Sequence, residues 1–410
     1  MVLNYIWVAF FLVAFVVALI KLIVFQDLEV FPAMLQSTFD MAKTGLEISI
    51  GLAGVMSLWL GLMKIGEKGG MVAILSRIVG PFFARLFPGV PRDHPATGSI
   101  IMNFSANILG LDNAATPLGL KAMSELQDIN PDKDTASDAQ IMFLVLNASG
   151  LTIIPISILA DRAMLGSVNP TSIFIPTLIA TFCSTFIGLL YICLRQRINL
   201  FDRVLMGYIL VMVAFIGGMV YYFSGLSPQD VQQQSSVFTG VIIFSIIISF
   251  ITLGLRNKVP IFETFIEGAK EGFGISIRII PFLVGILVAI GVFRASGVLN
   301  YIEDGVTFTL VSMGVNADFA PALPVGLLKP LSGQGARGMM IEVSKEFGPD
   351  SFVGNMASIF RGCAETTFYV LALYFGSINV RKTRYAVTGG LIADAAGLAG
   401  GIFAGYLFFH

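Results

Sequence analysis

Four long apolar segments restrict this 410-residue chain to folds that a lipid bilayer accepts. Met1–Val24, Val204–Phe223, Val237–Leu255 and Val387–Phe409 each contain at most one charged residue, and about 20 apolar residues let an α-helix cross the hydrocarbon core. Only 12% of all residues are charged, against roughly 25% in soluble domains. The sequence therefore predicts an all-α integral membrane protein with several spanning helices.

A nine-residue stretch near the N-terminus returns in the second half of the chain. Ala42–Ile50 reads AKTGLEISI and Ala269–Ile277 reads AKEGFGISI, with six identities at an offset of 227 residues. Each copy opens a similar series of apolar segments broken by polar, Gly-rich stretches. Such repeats are typical of transporters. Chance matching between two hydrophobic segments is the alternative explanation.

The placement of Lys and Arg predicts an orientation, because basic residues in short loops stay on the cytoplasmic side. Arg195–Arg203, Arg256–Lys258 and Arg381–Arg384 are predicted inside loops, whereas Ser224–Ser236 contains no Lys or Arg and is predicted outside. The two halves then cross the membrane in opposite directions, and the helix at Val204–Phe223 inverts the second half. Arg77, Arg85 and Arg92 fit this scheme poorly, since the helix count places Arg92 outside.

Each half is predicted to contain a short amphipathic stretch followed by a separate apolar helix. The amphipathic stretches are Ala33–Lys43 and Ile261–Phe273, whose mixed charges suit the membrane interface. The helices that follow are predicted at Leu46–Met63 and Ile279–Phe293.

Polar breaks then interrupt the apolar pattern in both halves. The first half has Asn103–Pro117 and Asn147–Thr152, and the second half has Lys329–Gly338 and Arg361–Thr367. Irregular backbone at membrane depth is tolerable only where it is buried in protein or lines a wet cavity. These breaks predict broken or re-entrant helices, with ordinary surface loops as the alternative.

The break at Asn103–Pro117 suggests how a solute is held. Asn103, Ser105 and Asn107 lie two residues apart, so a helix would spread them over about 200° and an extended stretch would align them better. Thr116 and Pro117 form a good N-cap and first helical position, which predicts a helix start whose positive end faces an anion.

Ionisable residues in apolar segments are functional candidates, because charges are costly at membrane depth. Glu365 is the strongest, and its spacing of four from Arg361 suits an intrahelical pair. A structural ion pair of Glu365 with Arg361 or Arg337 is the alternative. Asp394 is either a proton site or a buried hydrogen-bond acceptor.

Several functional classes lack their residues. His94 and His410 are the two histidines of the chain, so HExxH sites and Ser-His-Asp triads are absent. The three cysteines have no metal-like spacing. A net charge of −1 without a basic block gives no nucleic-acid signal. We therefore expect no enzyme activity, no cofactor, no metal and no nucleic-acid partner.

Five motifs resemble the two spore maturation protein families. NFSANILGLDNAATPLGLKAM at Asn103–Met123 and NASGLTIIP at Asn147–Pro155 resemble spore maturation protein A. RIIPFLVGILVAIGVFRASG at Arg278–Gly297, PLSGQGARGMM at Pro330–Met340 and ETTFYVLALYFGS at Glu365–Ser377 resemble spore maturation protein B. The chain is therefore similar to a fusion of the two.

This resemblance implies a fold but no cargo. Both families carry the nucleoside recognition, or Gate, domain, which also occurs in concentrative nucleoside transporters and ferrous iron transporters. It implies two inverted Gate-type repeats: residues 1–198 form the spore maturation protein A-like half, residues 199–236 a linking transmembrane helix, and residues 237–410 the spore maturation protein B-like half. Gate proteins move unlike cargoes, so the resemblance implies no particular cargo, and the fused form differs from the two-protein arrangement.

We predict a transporter or permease for a small polar, preferably anionic, solute in a bacterial cytoplasmic membrane, with binding near the bilayer midplane between the repeats. Arg337 and the helix end at Thr116 favour a negative group, and Glu365 or Asp112 would take a coupling ion, H⁺ or Na⁺. Lipid and a further copy of the chain are the other expected partners. The alternative is a non-transporting assembly factor that binds a lipid headgroup or a partner helix.

The predicted substrate-binding residues are polar side chains of these breaks. They are Asn103, Ser105, Asn107, Asp112, Asn113, Thr116, Asn147, Ser149, Thr152, Ser332, Gln334, Arg337, Glu365, Thr366 and Thr367.

Overall fold

The computed structural model describes the whole chain except residues 1, 92, 110–111, 151–154, 227, 313 and 315, and the described residues are mainly helical. The helices up to the middle of the chain are α1 Val2–Val24, α2 Val30–Lys68, α3 Met71–Leu86, α4 Pro95–Ile108, α5 Asp112–Asp128, α6 Asp138–Ala148, α7 Ile156–Met164, α8 Phe174–Gln196 and α9 Arg203–Ser224. The later helices are α10 Pro228–Arg256, α11 Ile261–Ala295, α12 Val298–Ser312, α13 Leu323–Leu328, α14 Gly333–Phe347, α15 Phe352–Gly362, α16 Thr367–Ser377 and α17 Ala386–Phe409.

Six helical stretches among the described residues are long and apolar enough to cross a membrane. They are Trp7–Val24, Val30–Lys68, Pro170–Gln196, Arg203–Ser224, Gln233–Arg256 and Ala386–Phe409. The four apolar segments predicted to span lie on α1, α9, α10 and α17. The prediction of an all-α, multi-pass membrane protein is therefore confirmed.

The 227-residue offset of the sequence repeat recurs in the helix boundaries. α2 ends at Lys68 and α11 at Ala295, and each end is followed by a glycine with positive φ, Gly70 at 83° and Gly297 at 84°. Glycine reaches this left-handed region without the steric cost that a Cβ imposes. The next helix, α3 or α12, begins directly after that glycine. Eight helices precede α9 and eight follow it in the described chain.

The amphipathic stretches are not separate elements. Ala33–Lys43 and Leu46–Met63 lie on the single 39-residue helix α2, and the corresponding pair lies on the 35-residue helix α11. The predicted division was therefore wrong. Gly45 does not end α2. It allows close packing, since a Cβ at Gly45 would lie 3.0 Å from Val284 Cα.

The outside loop predicted at Ser224–Ser236 is much shorter than expected. α9 ends at Ser224 and α10 begins at Pro228, which suits the first helical position because its ring fixes φ and its missing N–H is not needed there. The Gln-rich sequence after it therefore continues the spanning helix.

The chain forms two compact units, and each takes helices from both halves. Unit 1 contains residues 1–59, 157–170 and 269–361, and unit 2 contains residues 60–156, 171–268 and 362–410. Nearly all of α7 therefore belongs to unit 1 with α12 to α15, while α16 belongs to unit 2 with α3 to α6. The division of the sequence at residues 198 and 236 describes its two similar halves, and the compact units cut across it.

The two repeat helices α2 and α11 run antiparallel within unit 1. A Cβ at Gly45 would lie 3.0 Å from Val284, and a Cβ at Gly272 would lie 2.5 Å from the carbonyl oxygen of Met56. The residue number thus rises along α2 while it falls along α11. Glycine at these contacts lets the two backbones approach closely, as is common between membrane helices.

The position of α3 bears on the basic residues that fitted the topology poorly. In unit 2, Asn257 Nδ2 donates to the Gly69 carbonyl at 2.7 Å, just before α3. At the other end of α3, Arg85 Nε lies 3.9 Å from Asp202 Oδ1. Asn257 and Asp202 belong to loops predicted inside, and α3 is not among the six candidate spans. Arg85 therefore lies beside a predicted inside loop, while Arg92 is outside the described residues.

Candidate functional site

The first polar break begins on a helix, contrary to the extended stretch predicted for it. Asn103, Ser105 and Asn107 all lie on α4. The helix puts Asn103 and Asn107 one turn apart on one face, and Asn107 Nδ2 donates to Asn103 Oδ1 at 3.3 Å. Ser105 has separate partners, because its hydroxyl donates to the Ile101 carbonyl at 2.7 Å and accepts from Ser76 Oγ at 2.9 Å. The prediction was wrong because Asn103 and Asn107 are four residues apart, which puts them on one face of a helix.

Four polar side chains of unit 2, which we call the amide cluster, join α4, α6 and α16. Asn107 Nδ2 donates to Asn147 Oδ1 at 2.8 Å, and the Tyr374 hydroxyl donates to the same oxygen at 3.4 Å. Asn103 Nδ2 donates to the Ala115 carbonyl at 2.8 Å. Asn103, Asn147 and Tyr374 are each at most 7% exposed. The predicted residues Asn103, Asn107 and Asn147 are thus brought together, and Tyr374 was missed.

Helix α5 begins earlier than its capping signal predicted. It starts at Asp112, so Thr116 and Pro117 lie inside it and are not its N-cap and first residue. Pro117 is tolerated near the start of the helix, where it removes one backbone hydrogen bond. The side chains of Asp112 and Asn113 are outside the described residues.

The second pair of breaks meets within unit 2. α6 ends at Ala148 and α16 begins at Thr367, close to the predicted interruptions. The backbone N–H of Glu365 donates to the Ala148 carbonyl at 2.9 Å. Gly150 has φ 64°, and a Cβ there would lie 2.7 Å from Glu365 N. Gly150 is therefore required where the two breaks touch. Thr152, a predicted binding residue, is outside the described residues.

Hydrogen bonds to the spanning helices set the depth of these breaks. Thr185 Oγ1 donates to Ser149 Oγ at 3.0 Å, and Thr185 is the middle residue of the 23-residue helix α8. Thr367 Oγ1 donates to Asp394 Oδ2 at 2.7 Å within α17. Ser149 and Thr367 are fully buried. The ends of α6 and α16 that meet here therefore lie level with the middle of α8. Asp394 accepts a buried hydrogen bond, which was one of the two roles predicted for it.

Glu365 is not part of an intrahelical ion pair. α15 ends at Gly362, so Arg361 lies on the helix and Glu365 lies beyond it. The side chain of Glu365 is exposed, whereas Thr366 beside it is 5% exposed. The four-residue spacing misled because it assumed a continuous helix.

Three charged side chains of unit 1, which we call the arginine cluster, join α7, α14 and α15. Arg337 donates to Asp161 from Nε at 2.9 Å and from Nη2 at 2.5 Å, so it contacts both carboxylate oxygens. Arg361 Nη1 lies 2.8 Å from Asp161 Oδ2, and its Nη2 donates to Ser157 Oγ at 3.2 Å. The exposed fractions of Asp161, Arg337 and Arg361 are 0%, 4% and 8%.

Sequence reasoning missed Asp161. Arg337 pairs with this residue, whereas Glu342 pairs with Arg294 through a 2.7 Å contact. A signal was present, because Asp161 and Arg162 are adjacent charges directly after an apolar segment. Such a pair in a membrane protein requires partners.

The remaining predicted residues of unit 1 lie on α14. Ser332 Oγ accepts from the backbone N–H of Gly335 at 2.9 Å and so caps this helix. Gln334 follows in the first turn, and its Oε1 is buried without a hydrogen-bond partner among the described residues. Ser332 therefore has a structural use, while Gln334 has an unused acceptor.

Helices that can cross a bilayer, and polar helix ends that lie level with their middle, define a multi-pass membrane protein with buried polar sites. The Gate profile, described as nucleoside recognition, matches residues 49–162 and so includes both Asn147 and Asp161. Spore maturation protein A of Bacillus subtilis (strain 168) is 42% identical over 181 residues, which cover 44% of this chain and 89% of that protein.

Spore maturation protein B of the same organism is 43% identical over 157 residues, which cover 38% of this chain and 86% of that protein. No solved structure matches the chain. The chain belongs to the Gate-domain family of spore maturation proteins A and B.

Proposed function

We propose that this protein is a transporter or permease for a small polar solute in a bacterial cytoplasmic membrane. The observation that carries the proposal is the meeting of two helix ends inside unit 2, where Glu365 N–H bonds to the Ala148 carbonyl. Broken helices that meet at membrane depth are typical of transporter binding sites, because their free backbone groups and nearby polar side chains replace the water of a solute.

The amide cluster supports a site between the two repeats. Asn103, Asn107 and Asn147 come from the first half, and Tyr374 comes from the second. Carboxamides and a phenol both donate and accept hydrogen bonds without carrying charge. Such groups suit a solute with hydroxyl or amide groups.

The arginine cluster supports the preference for an anionic solute. Arg337 and Arg361 place two guanidinium groups on the carboxylate of Asp161. Arginine is the side chain best matched to carboxylate and phosphate groups. Glu365, exposed beside the meeting helix ends, is the proposed site for a coupling ion, H⁺ or Na⁺.

Inversion of the repeats is part of the proposal. The equivalent helices α2 and α11 pack antiparallel, as two repeats of opposite orientation require. Single cysteines at the exposed residues Ser224, at the end of α9, and Lys382, in a chain without Cys183, Cys193 and Cys363, test it with a membrane-impermeant reagent. We expect labelling from opposite sides, and labelling from one side would refute inversion.

A metabolite-wide comparison of uptake and release, in cells with and without the protein, tests transport directly. Purified protein in liposomes then takes up the solute that the comparison identifies. Asn107→Ala should lower uptake at least tenfold while the protein still folds. Asn257→Ala is the matched control, because the Asn257 amide donates to the Gly69 carbonyl, which is not part of the place where α6 and α16 meet.

The alternative is a membrane assembly factor that binds a lipid headgroup or a partner helix. The names of the two relatives, which refer to maturation and to no cargo, favour it. It would replace the transport proposal if no solute changed in either direction and liposomes with purified protein took up none.

A further inference from the structure

Each compact unit is built from helices of both halves of the chain. α7 belongs to the first half but lies in unit 1 with α12 to α15 of the second half. α16 belongs to the second half but lies in unit 2 with α3 to α6 of the first half. α7 and α16 therefore each pack in a unit with helices of the opposite half.

α7 is held in unit 1 by charges that only the second half supplies. The carboxylate of Asp161 is fully buried, and both of its oxygens are bonded to Arg337 on α14. Arg361 on α15 lies 2.8 Å from the same carboxylate. Without the second half, Asp161 would lose both arginines.

Arg162, the next residue of α7, also depends on the second half for partners, although it carries a positive charge. Arg162 is also fully buried. It donates from Nη1 to the Pro349 carbonyl at 2.7 Å and to Ser358 Oγ at 3.1 Å, and from Nη2 to Asp350 Oδ1 at 2.9 Å. All three of these partners belong to the second half. Arg162 also has hydrogen-bond partners in the first half, but its carboxylate partner, Asp350, comes from the second half.

α16 is held in unit 2 by shape and hydrogen bonds. The ring of Tyr374 packs edge-on against Phe143 of α6 with centroids 5.3 Å apart. Its hydroxyl donates to Asn147 at 3.4 Å. Gly119 of α5 leaves room for this ring, because a Cβ there would lie 2.3 Å from the Tyr374 hydroxyl. α16 is therefore closely packed into unit 2 and does not merely lie on its surface.

A buried charge that loses its partner is strongly destabilising, whereas a matched pair is tolerated. We propose that the two halves of this chain are obligate partners, so that residues 1–199 and residues 200–410 fold only together, because each compact unit needs helices of both halves. A chain carrying one half would then need a chain carrying the other. This proposal does not depend on transport.

Co-expression of the two halves as separate, differently tagged chains tests it. The division between Asn199 and Leu200 falls in the connection between α8 and α9. We expect the halves to co-purify in equal amounts from detergent when expressed together. Each half expressed alone should be degraded or aggregated. A single half that is monodisperse, protease-resistant and cooperative in melting would overturn the proposal.

Charge reversal tests whether Asp161 is the contact that matters. Asp161→Arg should lower the recovered complex at least tenfold. Combining it with Arg337→Asp should restore most of the yield, since the cluster then again has two arginines and one aspartate. Glu29→Arg, at an exposed residue between α1 and α2, is the control. Equal recovery of wild type and Asp161→Arg would refute the proposal that α7 joins the two halves through Asp161.

Cleavage after folding gives a measurement that does not need each fragment to fold. A protease site inserted between Asn199 and Leu200 of the intact chain is cut in mild detergent. The cut protein should remain one particle and melt at the temperature of the uncut protein. Separation of the two halves without denaturant would overturn the proposal, because the helices of one half cannot leave a unit that stays folded.

Discussion

The arginine cluster of unit 1 and the amide cluster of unit 2 each include the tenth residue of an 11-residue helix but use different chemistry. Arg361 is the tenth residue of the 11-residue helix α15, and Asn147 is the tenth residue of the 11-residue helix α6. Arg361 contacts the Asp161 carboxylate of α7, and Asn147 accepts from the Tyr374 hydroxyl of α16. Each side chain therefore contacts the helix that the opposite half supplies.

The two clusters differ in the free energy of unfolding that is lost when one of their members is removed. Removing one member of a buried ion pair leaves an uncompensated charge, which costs about 3–5 kcal/mol. Neutral hydrogen bonds contribute only about 0.5–1.5 kcal/mol each. We infer that the arginine cluster keeps unit 1 together, whereas the amide cluster can exchange its internal bonds for bonds to a solute. Four substitutions test this comparison.

Removing the shared carboxylate should have the largest effect. Asp161→Ala leaves Arg337 and Arg361 without their common acceptor, so we expect a loss of about 3–5 kcal/mol in the free energy of unfolding. Denaturant unfolding of the purified protein in detergent measures it. Glu29→Ala, at an exposed position, should change stability by less than about 0.5 kcal/mol. A similar small loss for Asp161→Ala would contradict the proposed role of the arginine cluster.

Arg337→Gln should have the next largest effect, because Arg361 still contacts Asp161. We expect a loss of about 1.5–3 kcal/mol in stability, as for hydrogen bonds to charged groups. Affinity for an anionic solute should fall by about 1–3 kcal/mol. Arg337→Lys should recover part of both, since it restores charge without the planar fork.

Calorimetric binding measured beside the melting temperature separates the two roles of Arg337. Unchanged affinity with a lowered melting temperature would leave Arg337 as a structural partner of Asp161 and remove the support for an anionic solute.

Asn147→Ala should cost less than either change in the arginine cluster. It removes one acceptor of Asn107 Nδ2, which keeps Asn103 Oδ1, and the acceptor of the long bond from the Tyr374 hydroxyl. We therefore expect a loss of about 1–1.5 kcal/mol, within the range of neutral hydrogen bonds. Thermal unfolding of the variant against wild type checks the value. A loss as large as that of Asp161→Ala would show that the two clusters do not differ in cost.

Tyr374→Phe should be the mildest change. It removes one long hydrogen bond of 3.4 Å and keeps the ring that packs against Phe143. We expect a loss of about 0.5–1 kcal/mol. Tyr369→Phe on the same helix, at a residue 61% exposed, is the control and should be neutral. A loss above about 2 kcal/mol would mean that the hydroxyl contributes more to stability than one long hydrogen bond does.

Sequence and structure agree where the signal is local. Apolar length alone predicted α1, α9, α10 and α17, because a bilayer fixes the number of residues that a helix needs. Polar breaks also predicted the ends of α6 and α15, since helices end where the backbone finds other partners. The amide residues Asn103, Asn107 and Asn147 were likewise selected from the sequence, although the conformation predicted for the first two was wrong.

Composition, apolar length and a repeated motif were enough to predict a membrane protein with two similar halves, because all three are properties of the chain alone. Which charges pair depends on the fold. Asp161 and Arg337 are 176 residues apart, and no spacing rule connects residues of two halves that meet inside one compact unit. The partner of a buried charge is fixed by packing, since any opposite charge of the chain would serve electrostatically, and only the one that packing brings into contact does so.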